Sequence, residues 1–319
     1  MKTLKQVLFV SQGLKLEEQA LFDWALDFAH AHSAQVHILR VIPELGTSLR
    51  YALESISPVD IQAEQNREAE QALHELYMQA KNKGLQSTTQ VLRGKSFYRA
   101  IQYVQNYQID LVVKLAKPVS KSLADKMFVS EDWHLLRKCP VPLLLHKQGH
   151  PLPFKRVMAS LDLDLDQQDA HPSDINQAIL TWASNLVLPS ESIYAAHAWQ
   201  SETEELVRHW HTEISEAELM RVVERERHLH HELMEKELAE LRKTERSVHV
   251  LFPKGEPEQA IPLVVERNEI DLIVMGTIGR TGLPGLVIGN TAENILENVK
   301  ASVLAIKPSN FVCPIPAGA

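Results

Sequence analysis

Short apolar runs alternate along the whole chain with longer segments in which apolar residues recur every three or four positions. Runs rich in Val, Ile and Leu are typical of buried strands, and the longer segments are typical of amphipathic helices. Their alternation predicts parallel strands joined by crossover helices. We predict five strands in the first half, near residues 6–11, 35–42, 87–92, 109–115 and 141–146, and five in the second, near 155–161, 191–197, 246–251, 270–275 and 301–307.

Two of the helical segments between these strands have distinct sequence signals. Ser57 as an N-cap followed by Pro58 predicts a helix that stops at Gly84. In the second half, a longer helical region over about 202–243 carries apolar residues at a spacing of three or four, namely Val207, Trp210, Ile214 and Ala217. We expect one face of this region to pack on the domain and the other face to be exposed.

The two halves of the chain repeat each other. Gly94 precedes Asp110 by 16 residues, and Gly255 precedes Asp271 by the same 16 residues. The offset of 161 residues also carries residues 142–145 onto 303–306 without a gap. A chain of 319 residues suits two domains. We therefore predict two tandem Rossmann-like α/β domains, over 1–150 and 151–319, each a five-stranded parallel sheet flanked by helices.

Charge and cysteine content narrow the class of protein. The formal net charge of −8 argues against non-specific nucleic-acid binding. The two cysteines, Cys139 and Cys313, lie far apart in sequence without metal-ligand spacing, which favours a reducing cytoplasm. Because no stretch approaches about 18 unbroken apolar residues, we expect no membrane span.

A glycine-rich loop is the strongest candidate for chemistry. Residues 276–291 follow the predicted strand at 270–275 and contain five glycines: Gly276, Gly279, Gly282, Gly285 and Gly289. Glycines allow the backbone to approach a ligand, and a helix beginning near Asn290 aims free N–H groups into the same space. A polyphosphate fits such a loop at the carboxyl edge of an α/β sheet. The alternative is a surface loop that binds nothing.

Gly276, Gly279 and Gly289 stand in the spacing Gly-x2-Gly-x9-Gly, which resembles the ATP-binding members of the universal stress protein family. Residues 132–140 and 289–293 are similar to the tandem-domain E group of that family. Asn290 departs from the family pattern, which has Ser or Thr there, although Thr291 is adjacent. An amide still donates hydrogen bonds, but with a different reach to a γ-phosphate.

The resemblance implies a fold, a ligand and a set of binding residues. The fold is the adenine nucleotide alpha hydrolase-like form of the Rossmann fold, with the last strands of the two domains paired as an intramolecular pseudo-dimer. The ligand is ATP or another adenine nucleotide, with Mg²⁺ accompanying it rather than bound by a dedicated metal site. The implied nucleotide-binding residues are Asp162, Ala198, Met275, Gly276, Gly279, Arg280, Gly289, Asn290 and Thr291.

The resemblance also places the base beside the backbone of Ala198 or Trp199, and Asp162 and Trp199 each have an alternative interpretation. Asp162 either holds the nucleoside or serves as a loop or helix-capping residue beside Asp164 and Asp166. Trp199 either stacks on a base or fills the core, and core filling is the more frequent use of a single Trp.

The first copy lacks the loop pattern. The repeat places Leu115, Pro118 and Phe128 at the glycine positions 276, 279 and 289, and Gln12 at the position of Asp162. We therefore expect the nucleotide site of this degenerate copy to be lost, with its pocket either filled or open to an apolar or lipid-like anionic ligand. Lysines form a basic stretch there that either meets an anionic head group or is solvated: Lys114, Lys117, Lys121 and Lys126.

No catalytic residues or metal ligands are assigned. His228 and His231, at a spacing of three, either share a metal such as zinc or lie on a solvated helix face. We find no Walker lysine, no Ser–His–Asp spacing and no dedicated acidic pair, so any ATP hydrolysis is expected to be slow. The resemblance thus implies a bacterial regulatory protein that binds a nucleotide and unknown protein partners, and we expect it in the cytoplasm, with further self-association open.

Overall fold

The protein is described from a computed structural model. The description covers residues 4–13, 15–44, 58–116, 128, 130–165, 173–210, 214–244, 246–278 and 288–318. The chain divides into two compact units, unit 1 formed by Met1–Leu152 with Ser302–Ala319 and unit 2 formed by Pro153–Ala301.

Ten strands lie in the described ranges, at the places that the apolar runs predicted. They are β1 (Gln6–Ser11), β2 (Gln35–Ile42), β3 (Ser87–Arg93), β4 (Leu111–Leu115), β5 (Leu143–His146), β6 (Val157–Ser160), β7 (Ile193–Ala196), β8 (Val248–Leu251), β9 (Leu272–Gly276) and β10 (Ser302–Ile306). The helices between them are α1 (Lys15–Ala31), α2 (Pro58–Asn82), α3 (Ser96–Asn106), α4 (Ser130–Lys138), α5 (Asp174–Leu186), α6 (Glu202–Trp210), α7 (Glu216–Arg242), α8 (Pro257–Arg267) and α9 (Asn290–Asn298).

Unit 1 contains a sheet with the strand order β3-β2-β1-β4-β5-β10. The first five strands are parallel, and β10 is antiparallel to β5, with Val303 opposite Leu145 and Ala305 opposite Leu143. The predicted pairing of the last strands of the two copies is therefore confirmed. The strand predicted at 301–307 is β10, and it packs within unit 1 although it repeats β5 of the first copy.

Unit 2 has four parallel strands in the order β9-β6-β7-β8. In both units the central strands are buried along most of their length, as expected for a parallel sheet covered by helices. This α/β arrangement brings the carboxyl ends of β6, β7 and β9 to one edge of the sheet.

The internal repeat is visible in matching hydrogen bonds. In unit 1, Asp110 Oδ2 accepts from the amides of Lys5 and Gln6, at 2.9 and 3.0 Å. In unit 2, Asp271 Oδ2 accepts from the amides of residues 155 and 156, at 3.0 and 2.9 Å. The two repeated aspartates therefore fix the starts of β1 and β6 in the same way.

The helical prediction for 202–243 was wrong in one respect, because two helices replace one continuous region. Ser215 caps α7 by accepting from the amide of Glu218, while the Glu218 side chain accepts from the Ser215 amide. This capping box begins a new helix. Ala217 is exposed, and the buried face of α7 lies further along the helix, at His230, Leu233, Met234, Glu237, Leu238 and Leu241.

Within the described ranges, no helix is both long enough and apolar enough to cross a lipid bilayer.

Candidate functional site

A cavity of about 580 Å³ opens in unit 2 where β6, β7 and β9 end. The first turn of α9 and one face of α5 complete its wall. The described residues that line it are Ser160, Leu161, Asp162, Asp164, Ile175, Asn176, Ile179, His197, Ala198, Pro257, Ile261, Met275, Gly276, Ile278, Gly289, Asn290, Thr291, Ala292 and Ile295. The cavity therefore combines apolar side chains with a polar edge.

The structure brings together most of the residues that the sequence singled out. Seven of the nine line this cavity: Asp162, Ala198, Met275, Gly276, Gly289, Asn290 and Thr291. Gly279 and Arg280 lie outside the described residues. Their part in the site stays a prediction.

The N-terminus of α9 supplies hydrogen-bond donors to the cavity. Gly289 is the N-cap and has no side chain to accept from the first turn. Its own amide donates to the carbonyl of Thr277 at 2.9 Å. The amides of Asn290, Thr291 and Ala292 come first in the helix and have no acceptor within it. Because these three residues line the cavity, its wall carries the positive end of a helix dipole.

Asn176 on α5 was missed by the sequence reasoning, and it holds the main chain of Asp162. Asn176 Oδ1 accepts from the Asp162 amide at 3.2 Å, and Asn176 Nδ2 donates to the Asp162 carbonyl at 2.9 Å. Glu237 on α7 accepts from Asn176 Nδ2 at 3.1 Å and from the Ser173 amide at 2.8 Å. Ser173, not Asp162, is the N-cap residue of α5. The buried amide and carboxylate thus fix the loop that carries Asp162 at the cavity edge.

His197 forms part of the cavity wall and pairs with a second buried histidine. His197 Nδ1 is 3.2 Å from the carbonyl of Leu161, and His197 Nε2 is 3.2 Å from His230 Nδ1. A carbonyl oxygen only accepts, so Nδ1 of neutral His197 carries the proton and His230 donates to Nε2. Burial lowers the pKa of His197 to about 4 and also lowers the pKa of His230. Both rings are therefore neutral at pH 7.

Trp199 does not line the cavity. Its side chain is buried beside His230, with the ammonium of Lys254 over its ring at 5.5 Å. The core-filling reading of Trp199 therefore fits the structure better than the stacking reading.

The other histidines of α7 do not form a cluster. His228 is exposed and pairs with Glu232 at 3.3 Å, whereas His231 lies against the ring of Phe252. Among the residues that the structure describes, no group of three or more His, Cys, Asp or Glu side chains is arranged to hold a metal ion.

The corresponding region of unit 1 is occupied by its own side chains. Leu115 and Phe128 are each 1% exposed, and Gln12 Nε2 donates to the Leu115 carbonyl. Lys114, which the sequence grouped with solvated loop lysines, is fully buried, and its Nζ lies 2.5 Å from Asp132 Oδ1. That grouping was wrong for Lys114, because its position within β4 directs it into the interior. Pro118, Lys117, Lys121 and Lys126 lie outside the described residues.

Comparison with known proteins agrees with this architecture. A family model described as "Universal stress protein family" matches residues 4–147 and 169–307. The chain is 29% identical to the universal stress protein E homolog of Haemophilus influenzae over 211 residues, 65% of this chain and 64% of that protein. It is also 29% identical to universal stress protein E of Photorhabdus laumondii over 231 residues, 71% and 70% of the two chains. The chain thus spans about two thirds of the length of these curated relatives.

Two solved structures share the fold over nearly the whole chain. A protein of unknown function from Pseudomonas aeruginosa PAO1 has a TM-score of 0.68 at 22% identity, covering 96% of this chain and 94% of that chain. A universal stress protein from Archaeoglobus fulgidus has a TM-score of 0.62 at 18% identity, covering 96% and 99%. At these identities the likeness concerns the fold alone.

Proposed function

Because this chain belongs to the universal stress protein family, a family of stress-response proteins, we propose that its C-terminal copy binds an adenine nucleotide, ATP being the expected ligand. The observation that carries the proposal is the convergence of seven predicted residues on one cavity at the carboxyl edge of the unit 2 sheet. We place the protein in the cytoplasm, where it acts as a ligand-dependent regulator through protein partners.

The residues present fit a nucleotide. A volume of about 580 Å³ lies within the range of about 300–1,000 Å³ that is usual for small-molecule pockets. The first-turn amides of α9 suit phosphate oxygens, since no side chain caps them. Apolar side chains in the cavity wall, among them Ile175, Ile179 and Ile261, suit the faces of a purine.

The packing around Gly276 supports a ligand role for the loop. A Cβ at Gly276 would meet Ile175 and Ile179 at 3.5 and 3.9 Å, which are ordinary contacts. The fold therefore does not demand a glycine at this position for lack of space. A close approach of the backbone to a ligand is a physical reason for a glycine here.

Slow ATP hydrolysis is the second candidate activity. Asp162 and Asp164 are the carboxylates among the cavity residues described, and either could orient a water molecule. No lysine is among those residues. We propose binding rather than turnover as the function, because the sequence has no Walker lysine to stabilise charge on a transferred γ-phosphoryl group.

The lipid-like ligand considered for the first copy finds less support. That hypothesis needs open space at Leu115 and Phe128, and both side chains are buried in the core of unit 1.

The test is isothermal calorimetry with ATP, ADP and AMP on the full chain and on Gly289→Asp. The aspartate caps α9, which preserves the helix, and places a negative charge where a phosphate would bind. We expect ATP binding by the wild type and a loss of about tenfold or more in the variant, since an anion opposes the phosphate. Lys95→Asp is the matched control, because Lys95 is the N-cap of α3 and also makes no side-chain cap hydrogen bond. Absence of ATP binding to the wild type at millimolar concentration would sink the proposal.

A further inference from the structure

Unit 1 contains a cavity that is separate from its filled loop region. It has a volume of about 470 Å³ and lies between the end of β2, the turn after β1 and one face of α2. The described residues that line it are Gly13, Arg40, Ile42, Pro43, Gln65, Glu68, Ala69, Gln71 and Ala72. Aliphatic side chains and two amides thus surround one guanidinium group.

The Arg40 side chain carries a donor that has no hydrogen-bond partner among the described residues. Its Nη1 is buried and has no acceptor. Burial lowers the pKa of Arg40, although the nearby Glu18 carboxylate opposes this effect. A guanidinium remains charged in a protein, and a buried donor without an acceptor is destabilising, more so when the group is charged. Such a group calls for an acceptor that the described residues do not supply.

The chain makes room for this guanidinium. Gly13 has a φ of +77°, which favours glycine, and a Cβ there would overlap Arg40 Nη1. Glu18 holds the same turn by accepting from the amides of Gln12 and Gly13, at 2.5 and 3.2 Å, and from Ser11 Oγ at 3.0 Å. Because Glu18 is engaged in these bonds, it balances the charge of Arg40 from a distance and makes no direct hydrogen bond to it.

The strand register shows that this position corresponds to the wall of the unit 2 cavity. Val7 pairs with Val36 in unit 1, and Val157 pairs with Ile193 in unit 2. Counting four residues on from Val36 and from Ile193 gives Arg40 and His197. Unit 1 therefore presents a cation where unit 2 presents a neutral imidazole in the wall of its candidate site.

We propose that unit 1 binds a small organic anion, a carboxylate or a phosphate monoester, through Arg40. The guanidinium donates to the oxyanion, since its fork of N–H groups matches both anions. The body of the ligand packs on Ile42, Pro43 and Ala69, and the exposed Glu68 at the cavity wall disfavours ligands with a second negative charge at that end. This site is independent of the nucleotide site proposed for unit 2.

The test compares wild type, Arg40→Gln and Arg67→Gln by calorimetry, with butyrate and glycerol phosphate as separate probes. Arg67 is the control because it lies on α2 with its side chain 65% exposed and paired with Glu64. We expect wild type and Arg67→Gln to bind at least one probe at millimolar concentration, and Arg40→Gln to bind it about tenfold more weakly or worse, because a charge-assisted hydrogen bond is lost. The probe that binds identifies the class of anion.

A second measurement separates loss of binding from loss of fold. Without added anion, Arg40→Met should unfold at the same or a higher temperature than wild type, because it removes a half-buried charge whose Nη1 is buried without a hydrogen bond. The probe should raise the unfolding temperature of wild type and leave that of Arg40→Met unchanged. Equal shifts in the two proteins, or no binding of either probe to the wild type, would overturn the proposal.

Discussion

At the end of one strand, equivalent positions line a cavity in the second copy and are buried in the first. Where β9 of unit 2 ends with Met275 and Gly276 at a cavity, β4 of unit 1 ends with Lys114 and Leu115 in the core. Lys114 is paired with Asp132, the counterpart of Glu293 in α9. The same position of the duplicated fold therefore opens to a cavity in one copy and is filled by packed side chains and an ion pair in the other.

The largest expected effect comes from removing one partner of the Lys114–Asp132 ion pair. Asp132→Ala leaves the ammonium of Lys114 buried without its carboxylate, and we expect a loss of about 3–5 kcal/mol in the free energy of unfolding. The measurement is urea denaturation followed by circular dichroism. The double variant Lys114→Met with Asp132→Leu should recover most of the loss, since apolar residues of similar volume replace the pair. A loss below about 1 kcal/mol in Asp132→Ala would mean that water reaches the pair.

The strands and the duplication were predictable because their signals are local. Runs of Val, Ile and Leu identify buried parallel strands directly, and the repeated Asp110 and Asp271 stand at fixed distances from Gly94 and Gly255. The loop glycines were likewise recognisable by their spacing. Seven of the predicted site residues lie at one cavity because the carboxyl ends of parallel strands share an edge of the sheet.

Contacts between distant segments were not predictable in the same way. Lys114 meets Asp132 across 18 residues, and Glu237 reaches Asn176 across 61. In sequence Lys114 belongs to a basic stretch and Glu237 to a charged helix, so neither shows that it will be buried. The break between α6 and α7 had a local signal, the pair Ser215 and Glu218, which a continuous helical pattern obscured.

The second comparison concerns two buried histidines, one in each unit. Burial lowers the pKa of His197 in unit 2 and of His146 in unit 1 to about 4, whereas an unfolded histidine titrates near 6.5. Between these values the unfolded state binds more protons than the folded state, so stability falls as the pH decreases from about 6.5 to about 4. Below about pH 4 the folded protein also protonates these two histidines, so they no longer make its stability depend on pH. Across this pH range each histidine lowers the free energy of unfolding by on the order of 3 kcal/mol.

Urea denaturation at pH 7 and at pH 5 checks this expectation. Wild type should lose more stability between the two pH values than His197→Asn or His146→Asn, because each substitution removes one proton-binding difference. His228→Asn is the matched control for the same substitution at the surface, since His228 is 71% exposed. If stability depends equally on pH in all four proteins, folding does not lower the pKa of either buried histidine, and the expectation is wrong.

The smallest expected effect concerns two glycines at which the two copies have nearly the same backbone conformation. Gly94 and Gly255 have φ values of 132° and 134°, and such a conformation costs other residues about 1–3 kcal/mol. A Cβ at Gly94 would lie 3.1 Å from Arg99 Nε, whereas a Cβ at Gly255 would meet nothing within 4 Å. Gly94→Ala should therefore be more destabilising than Gly255→Ala by a few tenths of a kcal/mol up to about 1, since only the first adds a steric contact to the same backbone strain. Thermal unfolding of the two single variants measures the difference, and the opposite order would mean that the backbones relax differently despite their matching geometry.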